Sequence, residues 1–463
     1  MGCVIFLNRG VAVVKTKKAL LSALLLSGVV FASQPVHAET LMGALAKAYT
    51  NNGNLNSERA SARILDEDIA IAKSNFRPQI EGFGSYARGR SAATTYYTTT
   101  GSLGVQLSQK VFDGFVTKNT VASAEVKAQA QREYLRNTEQ NMLVNAATAY
   151  ANVFQYRQIA ELRRQNLAAL EEQVRADKAK LDVGEGTRTD LAQSEAARSV
   201  AVSELSLARA DVKSAEAVYR QVIGADPDKL ERPPVSKALP GSPDAGYKIG
   251  AATHPAILYS KYLIDASSYN VKAKEGALLP QVDLSASTSY NQIYNGPGDG
   301  GRSNSVGVSI NVPIYQGGRT SAQIRQSKEQ LGQARIQLDL AQDSVRENMS
   351  SSWSQLEGAR ASVIAYRDSV RAAEIALDGR VQENRVGQAT TLDVLNSRTQ
   401  LIDAQISLVT AERNVVVASY NVQSAIGKMT ADQLGLRVVK YDPEEHNKAV
   451  KDKWIGVRTP DGR

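Results

Sequence analysis

Cysteine is almost missing: the 463 residues contain one, Cys3. It lies ahead of the apolar run near the N-terminus, so it is not a lipid-anchor cysteine retained behind a cleaved leader. The mature chain is therefore left without a disulfide, a thiolate metal site or a cysteine nucleophile. Histidine is scarce as well, with only His37, His254 and His446. After residue 38 no apolar run reaches 18 residues, so no transmembrane helix is expected. Clustered basic stretches are lacking too. The net charge of +8 falls to +4 once the four cations Arg9, Lys15, Lys17 and Lys18 leave with a leader. That balance gives no reason to expect a nucleic-acid partner. Glycine-rich phosphate loops, metal-ligand spacings and nucleophile–base pairs do not stand out, so no enzyme, cofactor or metal site is expected.

What the chain does have begins with a leader over residues 1–38. Lys15, Lys17 and Lys18 precede an apolar run from Ala19 to Ala32. Val36-His37-Ala38 then supplies the small residues of a cleavage site, placing the cut after Ala38. The mature chain is exported.

The dominant pattern is an internal repeat. Phe115 to Val183 is 69 residues without glycine or proline, followed by Gly184-Glu185-Gly186 and a second breaker-free run from Thr187 to Ile223. Adding 203 carries Gly114 to Gly317, Thr117 to Thr320, Gly184 to Gly387, Thr187 to Thr390, Asp190 to Asp393 and Gly224 to Gly427. A helical hairpin that gains or loses one residue rotates its buried face by about 100°. A gapless offset from about 105 to 427 therefore marks two copies of one rigid hairpin, spanning 114–224 and 317–427.

Ahead of each hairpin the period changes from helical to alternating. Helices over residues 39–76 and 247–276 end at Pro78 and Pro280. Val282, Leu284, Ala286, Thr288 and Tyr290 then alternate with polar residues, as do Val306, Val308, Ile310, Val312 and Ile314. The expected strands are 79–90 and 101–113 in the first copy and 281–292 and 304–315 in the second. Residues 225–244 hold five of the 13 prolines and form the linker between repeats 39–224 and 245–427. The tail, 428–463, is polar, and the expectation is that part of it packs outside the helices and its end is disordered.

Four amphipathic strands do not close a barrel alone, and an open edge in lipid leaves backbone groups unsatisfied at several kcal/mol each. If the strands enter a membrane, copies must assemble to about 8, 12 or 16 strands. A 69-residue helix is about 100 Å long. The simplest object is a tube, with strands in a membrane and helical hairpins projecting from it.

In this order of elements the chain resembles the TolC-type family of outer-membrane efflux and secretion ducts, over residues 39 to 430. The tip motifs Val183-Gly184-Glu185-Gly186-Thr187-Arg188-Thr189-Asp190-Leu191 and Val386-Gly387-Gln388-Ala389-Thr390-Thr391-Leu392-Asp393-Val394 carry the resemblance. So do the junctions Val111-Phe112-Asp113-Gly114 and Ile314-Tyr315-Gln316-Gly317-Gly318. The resemblance implies a homotrimer with a 12-stranded β-barrel in the outer membrane and an α-helical tunnel in the periplasm. It also implies a passive exit duct partnered by a periplasmic adaptor and an inner-membrane transporter. The alternative is a periplasmic coiled-coil scaffold or adhesin without a pore.

Thr187 to Asp190 and Thr390 to Asp393 fit a helix capping box after a glycine turn. Capping alone is one reading. The resemblance adds another, in which Asp393 faces the pore axis and forms a carboxylate ring that attracts cations and resists joint ionisation. The family's second ring aspartate falls at Asn396, so at most one ring is present. The family's closing link keeps its aspartate at Asp190, but its tyrosine and arginine places hold Asn384 and Ala389, leaving Arg188 and Arg385 as substitutes. The adaptor is expected at the tips, around Gly184, Thr187, Gly387 and Thr390. Gly184, Gly186 and Gly387 read as turn residues. Phe112, Phe115 and Tyr315 read either as an aromatic girdle or as junction core. His254 reads as a helix cap or surface residue, and Asp66-Glu67-Asp68 and Glu171-Glu172 as solvated helix faces.

Overall fold

A computed structural model describes residues 38–90, 96–237, 239–295, 298–460 and 462. The expected leader lies outside the described residues, apart from Ala38, and so do Asp461 and Arg463 of the expected disordered end.

Two short helices open the chain, α1 (Leu41–Asn51) and α2 (Gly53–Ser74), divided where the side chain of Asn52 caps the second. Strands β1 (Gln79–Gly89) and β2 (Thr98–Phe112) follow, then α3 (Val116–Asp182) and α4 (Arg188–Ile223). The second copy repeats this as α5 (Pro243–Thr253), α6 (Pro255–Gly276), β3 (Gln281–Asn295), β4 (Gly301–Asn311), α7 (Arg319–Arg385) and α8 (Thr391–Ala425). The starts and ends of α3 and α7, and the start of α4 and α8, differ by the 203 seen in the sequence. A short α9 (Pro443–Val450) lies in the tail.

The four strands form one antiparallel sheet in the order β1-β2-β3-β4. Pairing sorts the side chains by face. Ile80 opposes Leu107, Leu107 opposes Ala286, and Ala286 opposes Val306, so these share the apolar face with Leu103, Val105 and Ile310. The other face carries hydroxyls in register: Ser85 and Ser102 lie 2.7 Å apart, and Ser287 and Ser305 2.8 Å. The apolar face is exposed along its length, including Ile80, Leu103, Val306, Val308 and Ile310. Among the described residues the outer edges of β1 and β4 are unpaired.

β4 ends at Asn311, four residues short of the expected 315. Its partner starts at Gln281, directly after Pro280, so nothing remains for Val312 and Ile314 to pair with, and Pro313 has no N–H to donate. β2 runs on to Phe112 by bulging at Val111, so that Lys110 pairs with Asp283 and Phe112 with the adjacent Val282.

Each hairpin packs on itself, and α3 of the first meets α8 of the second, giving the lateral order α4-α3-α8-α7. The largest apolar core sits near the middle of α3, where α1, α3, α4 and α8 converge with the tail at Leu45, Leu143, Tyr150, Tyr219, Tyr420 and Met429. Tyr150 Oη lies 2.6 and 2.8 Å from the carbonyls of Glu39 and Glu231, fastening the segment before α1 to the linker. Where sheet meets helix, Gly114 and Gly276 touch backbone to backbone. A Cβ on Gly114 would lie 2.2 Å from the Gly276 carbonyl, so neither position accepts a side chain.

One reading changes. Asp66 is 3% exposed, not solvated: it accepts from Asn447 Nδ2 at 2.9 Å and faces Arg132 and the His446 ring at 3.2 Å. Part of the tail packs outside the long helices: α9 lies against α2, with Val450 buried and His446 and Asn447 meeting Asp66.

Candidate constriction and docking site at the hairpin tips

Both tips arise from the same local chemistry. Val183 is the C-cap of α3, and Gly184 turns the chain at φ 82°; Val386 is the C-cap of α7, and Gly387 turns at φ 81°. A Cβ at either glycine would meet nothing, so left-handed backbone alone requires glycine there. Gly186 is different: a Cβ there would lie 3.1 Å from the backbone of Leu181, and its counterpart in the second copy is Ala389. The turns close identically, with Glu185 N donating to the Lys180 carbonyl and Gln388 N to the Glu383 carbonyl, each at 2.8 Å.

The returning helices start with full capping boxes. Asp190 N donates to Thr187 Oγ1 at 3.1 Å while Thr187 Oγ1 donates to Asp190 Oδ2 at 2.6 Å. Asp393 N donates to Thr390 Oγ1 at 3.2 Å, and Asp393 Oδ2 accepts from Thr390 N at 2.9 Å and Thr390 Oγ1 at 2.7 Å. Bonds from Thr187 hold the Asp190 carboxyl below its ordinary range, with Thr391 of the other hairpin adding to it. Bonds from Thr390 do the same for Asp393. Both carboxylates are therefore charged near neutral pH.

Leu170, Ala201 and Leu395 pack together and bind the two hairpins near this end, so Asp190 and Asp393 belong to one region. Asn396 is exposed one turn beyond Asp393. Asn384 is spent within its own turn, donating to the Ala389 carbonyl at 2.9 Å, and does not reach Asp190. Arg188 and Arg385 are exposed and have no ion pair among the described residues. Thr391, buried at the first position of α8, is the tip residue that sequence reasoning passed over. Its doublet with Thr390 was the available signal.

Elsewhere, His254 Nδ1 accepts from Ala256 N at 3.2 Å, so the histidine is an N-cap. At the sheet–helix junction Phe112 and Phe115 meet edge to face at 5.3 Å, with Phe115 53% and Tyr315 85% exposed. That exposure opposes the junction-core reading and suits a girdle.

The family model described as outer membrane efflux protein matches residues 44–225 and 250–428. The chain is 59% identical to outer membrane efflux protein BepC of Brucella suis, covering 96% of this chain and 98% of BepC. It is 27% identical to outer membrane protein TolC of Escherichia coli, covering 90% of this chain and 87% of TolC. Its fold matches the open-state MtrE outer membrane channel of Neisseria gonorrhoeae with a TM-score of 0.72 at 18% identity, over 85% of this chain and 90% of that one. An exposed apolar sheet face, two free edges and paired hairpins with matching tips thus coincide with these likenesses: the chain belongs to the outer membrane efflux protein family, the TolC-type exit ducts whose strands lie in the outer membrane and whose helices lie in the periplasm.

Proposed function

We propose that three copies close into a 12-stranded barrel continued by a tunnel of helices, and that the tube passively carries cargo delivered by an inner-membrane transporter through a periplasmic adaptor. The observation that carries this reading is the sheet itself. Strand directions alternate along β1-β2-β3-β4, so β4 of one copy meets β1 of the next antiparallel and every edge is satisfied after closure. The lipid-facing side is then apolar and the lumen lined by hydroxyls.

In this assembly the tips form the narrow end, with Asp393 and Asn396 toward the axis and Asp190 beside them. The capping bonds keep each Asp393 ionised against the repulsion of its copies, so the ring attracts cations. The adaptor docks around Gly184, Thr187, Gly387 and Thr390, and the leader is removed after Ala38. Energy comes from the partners; the duct itself carries out no chemistry.

The cysteine-free mature chain offers a clean test. Cysteines placed singly and in pairs on β1 (Ser85) and β4 (Ser305) are oxidised in native membranes. A covalent ladder ending at the trimer is expected, requiring one cysteine on each strand. A ladder ending at two or four copies, or none from folded protein, contradicts the closure.

A further inference from the structure

We infer that residues 451–460 form an anionic-lipid binding site, a peripheral anchor on the membrane surface where the strands leave it. The inference rests on the outer-membrane duct reading above.

The tail does not end at α9. Lys73 near the end of α2 pairs with Asp452 at 2.8 Å, and Arg77 Nη1 donates to the Lys453 carbonyl at 2.7 Å. The Arg77 guanidinium also lies 4.6 Å from the centre of the Trp454 ring. Arg77 is two residues before β1, and the Phe76 carbonyl accepts from Gln109 of β2 at 3.0 Å. The segment is thereby fastened at the level where β1 and β2 begin and end, beside exposed Phe76, Phe112 and Phe115.

At that level it presents Trp454 at 67%, Ile455 at 90% and Val457 at 100% exposure. An apolar triplet so exposed is unusual on a soluble surface and needs a partner. Its neighbours are cations: Lys451 and Arg458 have no carboxylate partner among the described residues, and Lys453 Nζ donates only to the Arg458 carbonyl. Asp452 is the one carboxylate between 451 and 460, and Lys73 already neutralises it. Tryptophan and aliphatic residues interleaved with lysine and arginine are what a membrane interface holds, the indole among head groups and the cations on phosphates. Continuity with the lipid-facing strands puts that interface within reach. The partner is a phospholipid with an anionic head group and its acyl chain, not a free anion, because the apolar triplet needs hydrocarbon.

The chain has two tryptophans, so Trp353→Phe leaves Trp454 as the sole tryptophan, excited selectively over the tyrosines. The full-length variant, confirmed as the native oligomer, is placed in nanodiscs of phosphatidylcholine with or without phosphatidylglycerol brominated near the carbonyl. Strong quenching by the brominated lipid with little quenching by aqueous iodide is expected. Lys451→Gln, Lys453→Gln and Arg458→Gln together should reverse that preference without changing the oligomer or its conductance. Should Trp353→Phe fail to fold, slowed hydrogen exchange of residues 451–460 in anionic over zwitterionic nanodiscs of the unmodified protein gives the same reading. Iodide quenching that lipid does not alter, equal quenching after the triple substitution, or protection by inorganic phosphate alone would overturn the anchor. The duct reading would survive, since conductance is scored separately.

Discussion

Phe115 has φ 65°, the one positive value outside glycine among the described residues, where the second copy has Gly318 at 79°. A left-handed L-residue costs about 1–2 kcal/mol, part of which glycine's greater freedom in the unfolded chain would offset. Phe115→Gly is therefore expected to raise the unfolding free energy in detergent by about 1 kcal/mol, read as a higher midpoint. An unchanged or lower midpoint would mean that the contact with Phe112 outweighs the strain. His254 yields a pH prediction. Burial lowers its pKa to about 4, against about 6.5 unfolded. Between those values the unfolded chain binds the extra proton, so stability rises with pH. The contribution of the neutral ring is complete above about 6.5 and lost as pH falls toward 4. His254→Asn keeps a capping oxygen and should flatten this dependence, checked by denaturant midpoints across the window. The cap at His254 was legible from His-Pro at a helix break. Asp66 was not read correctly, because a run of three acids suggests solvent. Yet Ala62, Asp66 and Ile69 fall on one helical stripe, all buried, and that spacing held the correct answer.

At the scale of elements, the tips depend on their capping boxes. Thr187→Ala and Thr390→Ala should each cost about 1 kcal/mol of local stability. Faster hydrogen exchange confined to the first turns of α4 and α8 would show it; unchanged exchange there would show that packing around Leu395 holds the tips without the caps. Long breaker-free helices and their offset were readable because packing period leaves no room for slippage. The end of β4 was not, since Val312 and Ile314 continue an apolar alternation that only the start of the neighbouring strand interrupts. α9 escaped for a different reason: eight residues give too short a period to detect. Its start was nevertheless signalled by Asp442 as cap, Pro443 at the first position and Glu444-Glu445 in the first turn. Touching glycines 114 and 276 lie 162 residues apart in the chain and leave no local sign.

For the whole molecule, one polypeptide supplies four strands, far too few for a pore, and helices of about 100 Å, far too long for a bilayer. Both mismatches resolve in the proposed closure of copies around an axis: edges are paired, the apolar face meets lipid, and the hairpins reach through the periplasm to the end proposed to carry the Asp393 ring. Single-channel conductance of the mature protein in a planar bilayer, with divalent cation added to each side in turn, tests this most directly. Small stable steps, blocked by cation from one side only and released from block by Asp393→Ala, are the predicted result. Steps indifferent to cation and to that substitution would remove the carboxylate ring, and silence from inserted, fully assembled oligomer would contradict the duct itself.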